Sequence, residues 1–242
     1  MPALMFCLLL ALCCASPATD PGSRDDQPGQ PDDAFQSARE RMVTAQIAAR
    51  GVRDAGVLAS MRRAPRHLFV PEAHRNDAYD DTPLPIGHGQ TISQPYIVAL
   101  MTELARPKVT DRALEIGTGS GYQAAVLSPL VKELFTVELV EALAEAARTR
   151  LRSLRYENVT VRAGDGYAGW PDRAPFDVIL VTAAPEEVPP ALIEQLAAGG
   201  RMVIPVGGQH EEQRLRVIEK DRSGGVRSRD VIPVRFVPLR RK

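Results

Sequence analysis

The sequence predicts an α/β protein with a mostly parallel, doubly wound sheet, a C-terminal antiparallel strand pair and an N-terminal helical segment. Three observations predict this class. Before residue 65, apolar residues recur one helical turn apart, and from residue 112 onward short apolar runs alternate with stretches of helical periodicity. This alternation requires crossover connections, and therefore parallel strands with helices on both faces of the sheet. After residue 214 two apolar runs are separated by Ser223-Gly224-Gly225, which is typical of an antiparallel pair.

The chain of 242 residues begins with two segments outside this pattern. Residues 1–15 are apolar and end in small residues, which resembles a secretory signal, although no Lys or Arg precedes the apolar run. Residues 16–37 predict a disordered linker, because they are rich in Pro, Gly, Asp and Gln and have few apolar side chains to bury. Because all three cysteines, Cys7, Cys13 and Cys14, lie in the apolar segment, the rest of the chain has no disulfide and no cysteine nucleophile.

Local periodicity predicts each element. Apolar residues at intervals of three and four predict helices from residue 38 onward, around 57–61, and over 95–104, 120–130, 140–154 and 187–197. Short apolar runs bounded by turn residues predict strands over 112–116, 134–138, 159–162, 176–181, 201–206, 215–218 and 231–237. The Pro- and Gly-rich stretch 81–89 predicts an irregular connection, and Ser93 is a typical N-cap of the next helix. Residues 38–110 therefore form the N-terminal segment, and 111–242 form the α/β core.

Three glycines, Gly117, Gly119 and Gly121, follow the first strand of this core. In a doubly wound sheet, ligands bind beyond the carboxyl ends of the strands, and glycine lets the backbone approach them closely. The spacing G-x-G-x-G is one residue shorter than the dinucleotide fingerprint, and the turn lacks the Lys with Ser or Thr of a phosphate loop. A tight strand-to-helix turn without a ligand is the alternative interpretation.

Two carboxylates follow the next two strands. Glu138 ends the second strand, roughly 20 residues after Gly117, where a carboxylate can accept hydrogen bonds from both hydroxyls of a ribose. Asp165 follows the third strand and can accept a hydrogen bond from the amino group of adenine. The alternative interpretations are an exposed strand-end carboxylate and an ordinary Asp-Gly turn. With the glycine turn, the two carboxylates predict an adenosine-containing cofactor without a pyrophosphate, which favours S-adenosylmethionine over a dinucleotide.

The stretch from Gly164 to Ile179 combines D-G-x-x-G, an aromatic residue and A-P-F-D-x-I. With residues 84–95, 115–123, 181–185 and 199–207, it resembles protein-L-isoaspartate O-methyltransferases. The resemblance runs in order from about Arg39 to Leu239. It implies a Rossmann-like class I fold and methyl transfer from S-adenosylmethionine to the free α-carboxylate of L-isoaspartyl residues, and more weakly of D-aspartyl residues, in damaged proteins and peptides. The ester can then close to a succinimide, whose opening restores some normal aspartate.

The resemblance also implies which residues act. Ser93 matches the active-site serine of the family and is expected to orient the substrate. The expected substrate-binding residues are Pro85, Ile86, Thr91, Ile92 and Ser93. The expected cofactor-binding residues are Gly117, Thr118, Gly119, Gly121, Glu138, Asp165 and Gly166. No general base is expected, since an α-carboxylate is already ionised at neutral pH.

Composition limits the other partners. Thirty basic and thirty acidic side chains cancel, so the overall charge does not favour nucleic acid, and the apolar segment is too short for a stable membrane span. His67, His74, His88 and His210 lack close ligand spacing, so no metal site is expected. A nicotinamide-dependent oxidoreductase and a protein that binds peptides without turnover stay open as alternatives. The expected location is the cytoplasm, with export as the alternative if residues 1–15 act as a signal peptide.

Overall fold

A seven-stranded sheet and a two-stranded hairpin form the β-structure of the part of the chain that the computed structural model describes, which is Met1 and residues 35–241. The strands are β1 (Leu84–Gly87), β2 (Gln90–Ile92), β3 (Arg112–Ile116), β4 (Glu133–Glu138), β5 (Val159–Ala163), β6 (Phe176–Val181), β7 (Leu196–Val206), β8 (Gln213–Lys220) and β9 (Val226–Val234). The α-helices are α1 (Gln36–Arg41), α2 (Ala55–Arg63), α3 (Pro95–Ala105), α4 (Tyr122–Leu127), α5 (Glu141–Ser153) and α6 (Pro190–Gln195).

The N-terminal boundary differs slightly from the prediction. Helix α1 begins at Gln36, two residues before the predicted helix start at residue 38, and continues as π-helix over Met42–Ile47. The signal-like segment and the linker up to residue 34 lie outside the described residues, apart from Met1.

The large sheet has the strand order β5-β4-β3-β6-β7-β8-β9. The first five strands in this order are parallel, and β8 and β9 extend the sheet as antiparallel neighbours. From β3 the chain runs outward through β4 to β5, and then crosses to the other side of β3 to form β6 and β7. The carboxyl ends of β3 and β6 therefore meet at a topological switch point, where open α/β sheets bind ligands. The predicted fold class is confirmed.

Apolar side chains cover both faces of the sheet. One cluster packs the sheet against helices α2 to α5, and the other packs it against α6 and the Trp170 ring. The predicted apolar face of α5 is confirmed, because Leu143, Ala147 and Leu151 are buried. Burial on both faces is the expected consequence of a parallel sheet covered by crossover helices.

The sequence predicted an irregular connection over residues 81–89, but part of this stretch forms a β-hairpin. Strands β1 and β2 pair as an antiparallel hairpin with Leu84 opposite Ile92. The three residues 87–89 all have positive φ angles of 88°, 52° and 69°, and they make the turn. Strands of four and three residues are too short to show an apolar alternation in the sequence.

The N-cap prediction for Ser93 is wrong. The N-cap of α3 is Gln94, and its side chain makes no capping hydrogen bond. The Asp81 carboxylate supplies an acceptor instead, because its Oδ1 atom lies 3.2 Å from the backbone nitrogen of Tyr96 in the first turn. The Ser93 hydroxyl forms no hydrogen bond with any described residue, so it remains available for another partner.

Two elements near the C-terminus begin or end away from their predicted bounds. Helix α6 has six residues rather than spanning 187–197, because Pro189 and Pro190 fit only the start of a helix. Strand β7 begins at Leu196 rather than at 201, since Leu196 already pairs with Phe176 before the register shifts at the Gly-Gly pair. Helical periodicity in this short apolar stretch therefore overestimated the length of the helix.

The last strand begins earlier and ends earlier than the predicted 231–237. Its first five residues, from Val226 to Asp230, are exposed and have no apolar pattern, but they pair with β8 at the edge of the sheet. After Val234 the chain leaves the sheet and returns to the end of β6. There the Leu239 amide donates a 2.8 Å hydrogen bond to the Ala184 carbonyl. Residues 235–241 therefore form what we call the C-terminal return.

One buried glutamine holds the start of the C-terminal return. The Gln213 Oε1 atom accepts a hydrogen bond from the Phe236 amide at 2.6 Å, and its Nε2 group donates to the Phe236 carbonyl at 3.2 Å. Gln213 therefore pairs both polar backbone groups of a buried residue that belongs to no strand.

Replacing Gln213 by Ala leaves these two backbone groups without partners. We expect the free energy of unfolding to fall by about 2 kcal/mol, because each unpaired buried polar group is costly. Urea unfolding measures this change. The matched control is Gln209→Ala in the exposed loop before β8, which should change stability by less than about 0.5 kcal/mol. Equal losses in the two variants would contradict the clamping role of Gln213.

Candidate active site

A cavity opens at the carboxyl ends of β3, β4 and β6. Its walls come from the glycine turn after β3, the segment between the hairpin and α3, and the C-terminal return. Of the seven residues predicted to bind the cofactor, five line this cavity, namely Gly117, Thr118, Gly119, Glu138 and Gly166. The structure therefore brings together most of the predicted cofactor-binding residues.

The three glycines of the turn differ in what surrounds them. Gly117 has a φ angle of 94°, and a Cβ atom on it would lie 2.5 Å from the Thr182 hydroxyl. Gly119 has a φ angle of 52°, and its Cβ atom would lie 3.3 Å from Ile86 Cδ1. Gly121 also has a positive φ angle, but it packs against α5 and does not line the cavity. Side chains at the first two positions would therefore disturb the cavity wall itself.

Glu138 holds the glycine turn against the end of β4. One carboxylate oxygen accepts a hydrogen bond from the Gly119 amide at 2.7 Å, and the other accepts one from the Val140 amide at 2.9 Å. Each carboxylate oxygen can accept a second hydrogen bond. Glu138 therefore both fixes the turn and keeps acceptor capacity at the cavity.

A second, fully buried glutamate lies beneath the turn. Glu115 Oε2 accepts a 2.6 Å hydrogen bond from the Thr136 hydroxyl, and this hydroxyl lies 2.6 Å from that of Thr118. Burial raises the pKa of Glu115 to about 8, the Thr136 hydrogen bond opposes this shift, and the charge of Glu138 adds to it. Glu115 is therefore an uncharged carboxylic acid at neutral pH, linked to the cavity through Thr118. Sequence reasoning did not single it out.

Asp165 does not line the cavity, whereas the next residue does. Its Oδ1 atom accepts a hydrogen bond from the Tyr167 amide at 2.9 Å and caps a short 3₁₀ turn after β5. A Cβ atom on Gly166 would lie 2.5 Å from Ile116 Cγ2, which explains the glycine at that position. The expected contact of Asp165 with adenine stays a prediction.

A second cavity, which we call the peptide cleft, adjoins the first one. The two cavities share Thr91, Ser93, Thr182 and Val237 in their walls. The Thr182 hydroxyl is already used, because it lies 3.0 and 2.6 Å from two carbonyl oxygens at the end of β3. Ser93 is half-buried and has no partner among the described residues, so it offers a free hydroxyl at the junction.

The other predicted substrate-binding residues lie nearby but in different positions. Ile92 is buried and lines the first cavity only, and neither Pro85 nor Ile86 lines either cavity. Sequence reasoning missed Thr182 and the C-terminal return, which provides part of both walls. Thr182 directly follows a parallel strand, so the rule for ligand sites at strand ends could have identified it.

No group of three or more His, Asp or Glu side chains in residues 35–241 could hold a metal ion. None of the helices found there is long and apolar enough to cross a membrane. Cys7, Cys13 and Cys14 lie outside the described residues.

The doubly wound sheet, with a glycine turn and a strand-end glutamate at its switch point, defines a class I S-adenosylmethionine-dependent methyltransferase. Comparison with known proteins narrows this class. A family model described as Protein-L-isoaspartate(D-aspartate) O-methyltransferase matches residues 37–242, and the chain belongs to this family.

Individual relatives agree with the family model. The chain is 58% identical over 204 residues to a protein-L-isoaspartate O-methyltransferase of Opitutus terrae, covering 84% of this chain and 87% of that protein. A solved protein-L-isoaspartate O-methyltransferase superposes with a TM-score of 0.75 at 30% identity, over 83% of this chain and 65% of that one. A Plasmodium falciparum structure, proposed to be such an enzyme and in complex with S-adenosyl-L-homocysteine, has a TM-score of 0.71 at 24% identity, over 84% and 99% of the two chains. The family favours a methyltransferase over the oxidoreductase and over a peptide-binding protein without turnover.

Glu115→Gln should make stability less dependent on pH. The carboxyl group has an ordinary pKa of 4.5 when unfolded, but it keeps its proton up to about pH 8 in the folded protein. Between these values the unfolded chain has lost a proton that the folded chain still binds, so rising pH favours unfolding by at most about 1.4 kcal/mol per pH unit. The contribution of Glu115 to the pH dependence of the free energy of unfolding is therefore confined to the range between pH 4.5 and about pH 8.

Urea unfolding from about pH 5 to about pH 8 measures this effect. The parent protein should lose more stability across this window than the Glu115→Gln variant. The matched control is Glu187→Gln, which makes the same chemical change at an exposed carboxylate and should follow the parent. If the Glu115→Gln curve runs parallel to the parent curve, Glu115 is not protonated in the folded protein.

Proposed function

We propose that this chain transfers a methyl group from S-adenosylmethionine to the free α-carboxylate of L-isoaspartyl residues, and more weakly of D-aspartyl residues, in damaged proteins and peptides. The resulting ester starts repair through a succinimide. The observation that carries the proposal is the junction of the two cavities at Ser93. A cofactor beside the glycine turn and a peptide in the cleft would meet at this wall. The name of the 58% identical relative supports the same activity.

The residues of the first cavity fit S-adenosylmethionine. Gly117 and Gly119 leave backbone without side chains at the wall, and Glu138 can accept hydrogen bonds from ribose hydroxyls. When bound, S-adenosylmethionine would supply a methyl group on a positively charged sulfur. An oxygen of the substrate carboxylate would bond to the methyl carbon as the methyl–sulfur bond breaks, and S-adenosylhomocysteine would leave. The related Plasmodium falciparum structure holds S-adenosyl-L-homocysteine, which supports this choice of cofactor.

The remaining predicted cofactor residues have more specific proposed roles. Thr118 contacts the cofactor from the cavity wall, and Gly166 leaves room for it beside Ile116. Asp165 accepts a hydrogen bond from adenine through Oδ2, which no described residue uses. Gly121 supports the turn by its close packing against α5.

The residues at the junction position the substrate and do not take a proton from it. An α-carboxylate has a pKa near ~3.5, so the nucleophile is ionised without a general base. Thr91 and Ser93 are uncharged, so a hydrogen bond from them orients the carboxylate without the strong pairing of a cation. The Ser93 hydroxyl is free to donate this bond. The rate then depends on holding the carboxylate oxygen in line with the methyl group.

We further propose that the protein acts in the cytoplasm, where its family usually acts and where the cofactor is made. Export is the alternative if residues 1–15 act as a signal peptide, and mass spectrometry of the native N-terminus distinguishes the two. Nucleic acid is not an expected partner, since basic and acidic side chains balance.

Ser93→Ala should reduce methyl transfer to an isoaspartyl peptide by roughly 10- to 100-fold, because the positioning hydroxyl is lost. The melting temperature should change little, since Ser93 has no hydrogen bond to lose. The measurement is incorporation of labelled methyl into an isoaspartyl peptide and into its aspartyl counterpart. The matched control is Ser153→Ala, at an exposed serine far along α5.

Two results would contradict the proposal. If Ser93→Ala keeps the parent rate, the serine does not position the substrate. If the parent protein methylates the aspartyl peptide at the same rate as the isoaspartyl peptide, the proposed substrate is wrong.

Gly119→Val should abolish binding of S-adenosylmethionine, since the new side chain would enter the cavity wall beneath Ile86. Titration calorimetry measures the affinity. The matched control is Gly51→Val, at a glycine with a φ angle of 103° but with no atom within 4 Å of the added Cβ. This control has comparable backbone strain away from the cavity, so an equal loss of affinity in both variants would refute the placement of the cofactor.

A further inference from the structure

The peptide cleft is lined by charge of one sign. Among the described residues, the charged side chains in its wall are Arg50 and Arg235, and no Asp, Glu, Lys or His joins them. The rest of the wall is polar or apolar, including the Tyr96 ring and the end of strand β9. An anionic group in the peptide would therefore be attracted to the cleft, and a cationic group would be repelled.

The charge of Arg50 is compensated within the protein. Its guanidinium forms an ion pair with Asp81 and lies 3.5 Å from the centre of the Tyr96 ring. The same carboxylate also accepts a hydrogen bond from the Gln94 side chain at 2.7 Å. Arg50 is therefore a fixed part of the wall with little charge to offer a ligand.

Arg235 has no such compensation. It follows strand β9, it is exposed, and it forms no ion pair or hydrogen bond with any described residue. The arginines on the adjacent strand β8 differ, since Arg214 pairs with Glu212 and Arg216 pairs with Asp230. Arg235 thus provides an uncompensated positive charge in the wall of the peptide cleft.

The reactive carboxylate is not the expected partner of this charge. Methyl transfer requires that carboxylate at the junction, where both cavities share their walls. Arg235 lines the peptide cleft but not the first cavity, beside the glycine turn. A group that pairs with Arg235 therefore belongs to a residue next to the isoaspartyl residue in the peptide.

We propose that Arg235 is a specificity-determining residue that binds an acidic side chain flanking the isoaspartyl residue, so that the enzyme prefers damaged sites in acidic sequences. This inference rests on the proposed function. It concerns binding only, because Arg235 is separate from the junction, so its effect belongs in KM and not in kcat.

Three isoaspartyl peptides of equal length, with Glu, Gln or Lys at the flanking positions, test the inference. With the parent enzyme, KM should be about two- to five-fold lower for the Glu peptide than for the Gln peptide, and higher for the Lys peptide, with similar kcat. High salt should reduce the difference. Arg235→Gln should remove the preference, and Arg235→Glu should reverse it.

The matched control is Arg229→Glu, which makes the same charge reversal at an exposed position of β9 that lines neither cavity. It should keep the parent preference. Equal KM values for the three peptides with the parent enzyme, or equal effects of the two charge reversals, would overturn the role of Arg235 and leave the proposed function standing. Failure of the parent enzyme to methylate any of the three peptides would instead overturn the proposed function, and this inference with it.

Discussion

The cavity depends on one constraint, which is that the turn after β3 is held from both sides. Glu138, at the end of β4, accepts a hydrogen bond from the Gly119 amide, and Thr182, after β6, donates from its hydroxyl toward the Gly117 carbonyl. These two side chains flank the turn only because β4 and β6 are the neighbours of β3. The doubly wound strand order therefore creates the site directly, since an order that separated β4 or β6 from β3 would move Glu138 or Thr182 away from the turn.

The same arrangement places two carboxyl groups under one turn, and burial keeps one of them, Glu115, protonated. Glu115 lies next to Thr136 in the register of β3 and β4, and Glu138 follows two residues later on the same face of β4. Two ionised carboxylates this close would repel each other, but burial keeps the proton on Glu115. Glu115 therefore contributes hydrogen bonding through the threonine hydroxyls, while Glu138 accepts hydrogen bonds from the Gly119 and Val140 amides.

Local patterns predicted the parallel core well, because each of its strands contains short stretches rich in apolar residues. They failed where pairing does not need apolar residues. The exposed half of β9 pairs with β8 through its backbone and the Arg216–Asp230 ion pair, without apolar side chains, and the hairpin strands are too short for periodicity. The site shows the same division. Gly117 and Glu138 follow strands that the sequence reveals, whereas the C-terminal return reaches the cavity through tertiary contacts that no local pattern encodes.

The C-terminal part of the chain and the parallel core contribute to different parts of the two cavity walls. The predicted cofactor-binding residues lie at the ends of parallel strands, but the peptide cleft takes much of its wall from residues 232–237. Strand β9 is the edge of the sheet, so the chain after it reaches the switch point only by leaving the sheet after Val234. There the Gln213 side chain accepts a hydrogen bond from the Phe236 amide. The C-terminal return lines both cavities, so the segment that shapes the peptide cleft also forms part of the wall of the first cavity. Residues of the C-terminal return can therefore differ and change both walls without altering the glycine turn or the Glu138 and Thr182 side chains that hold it.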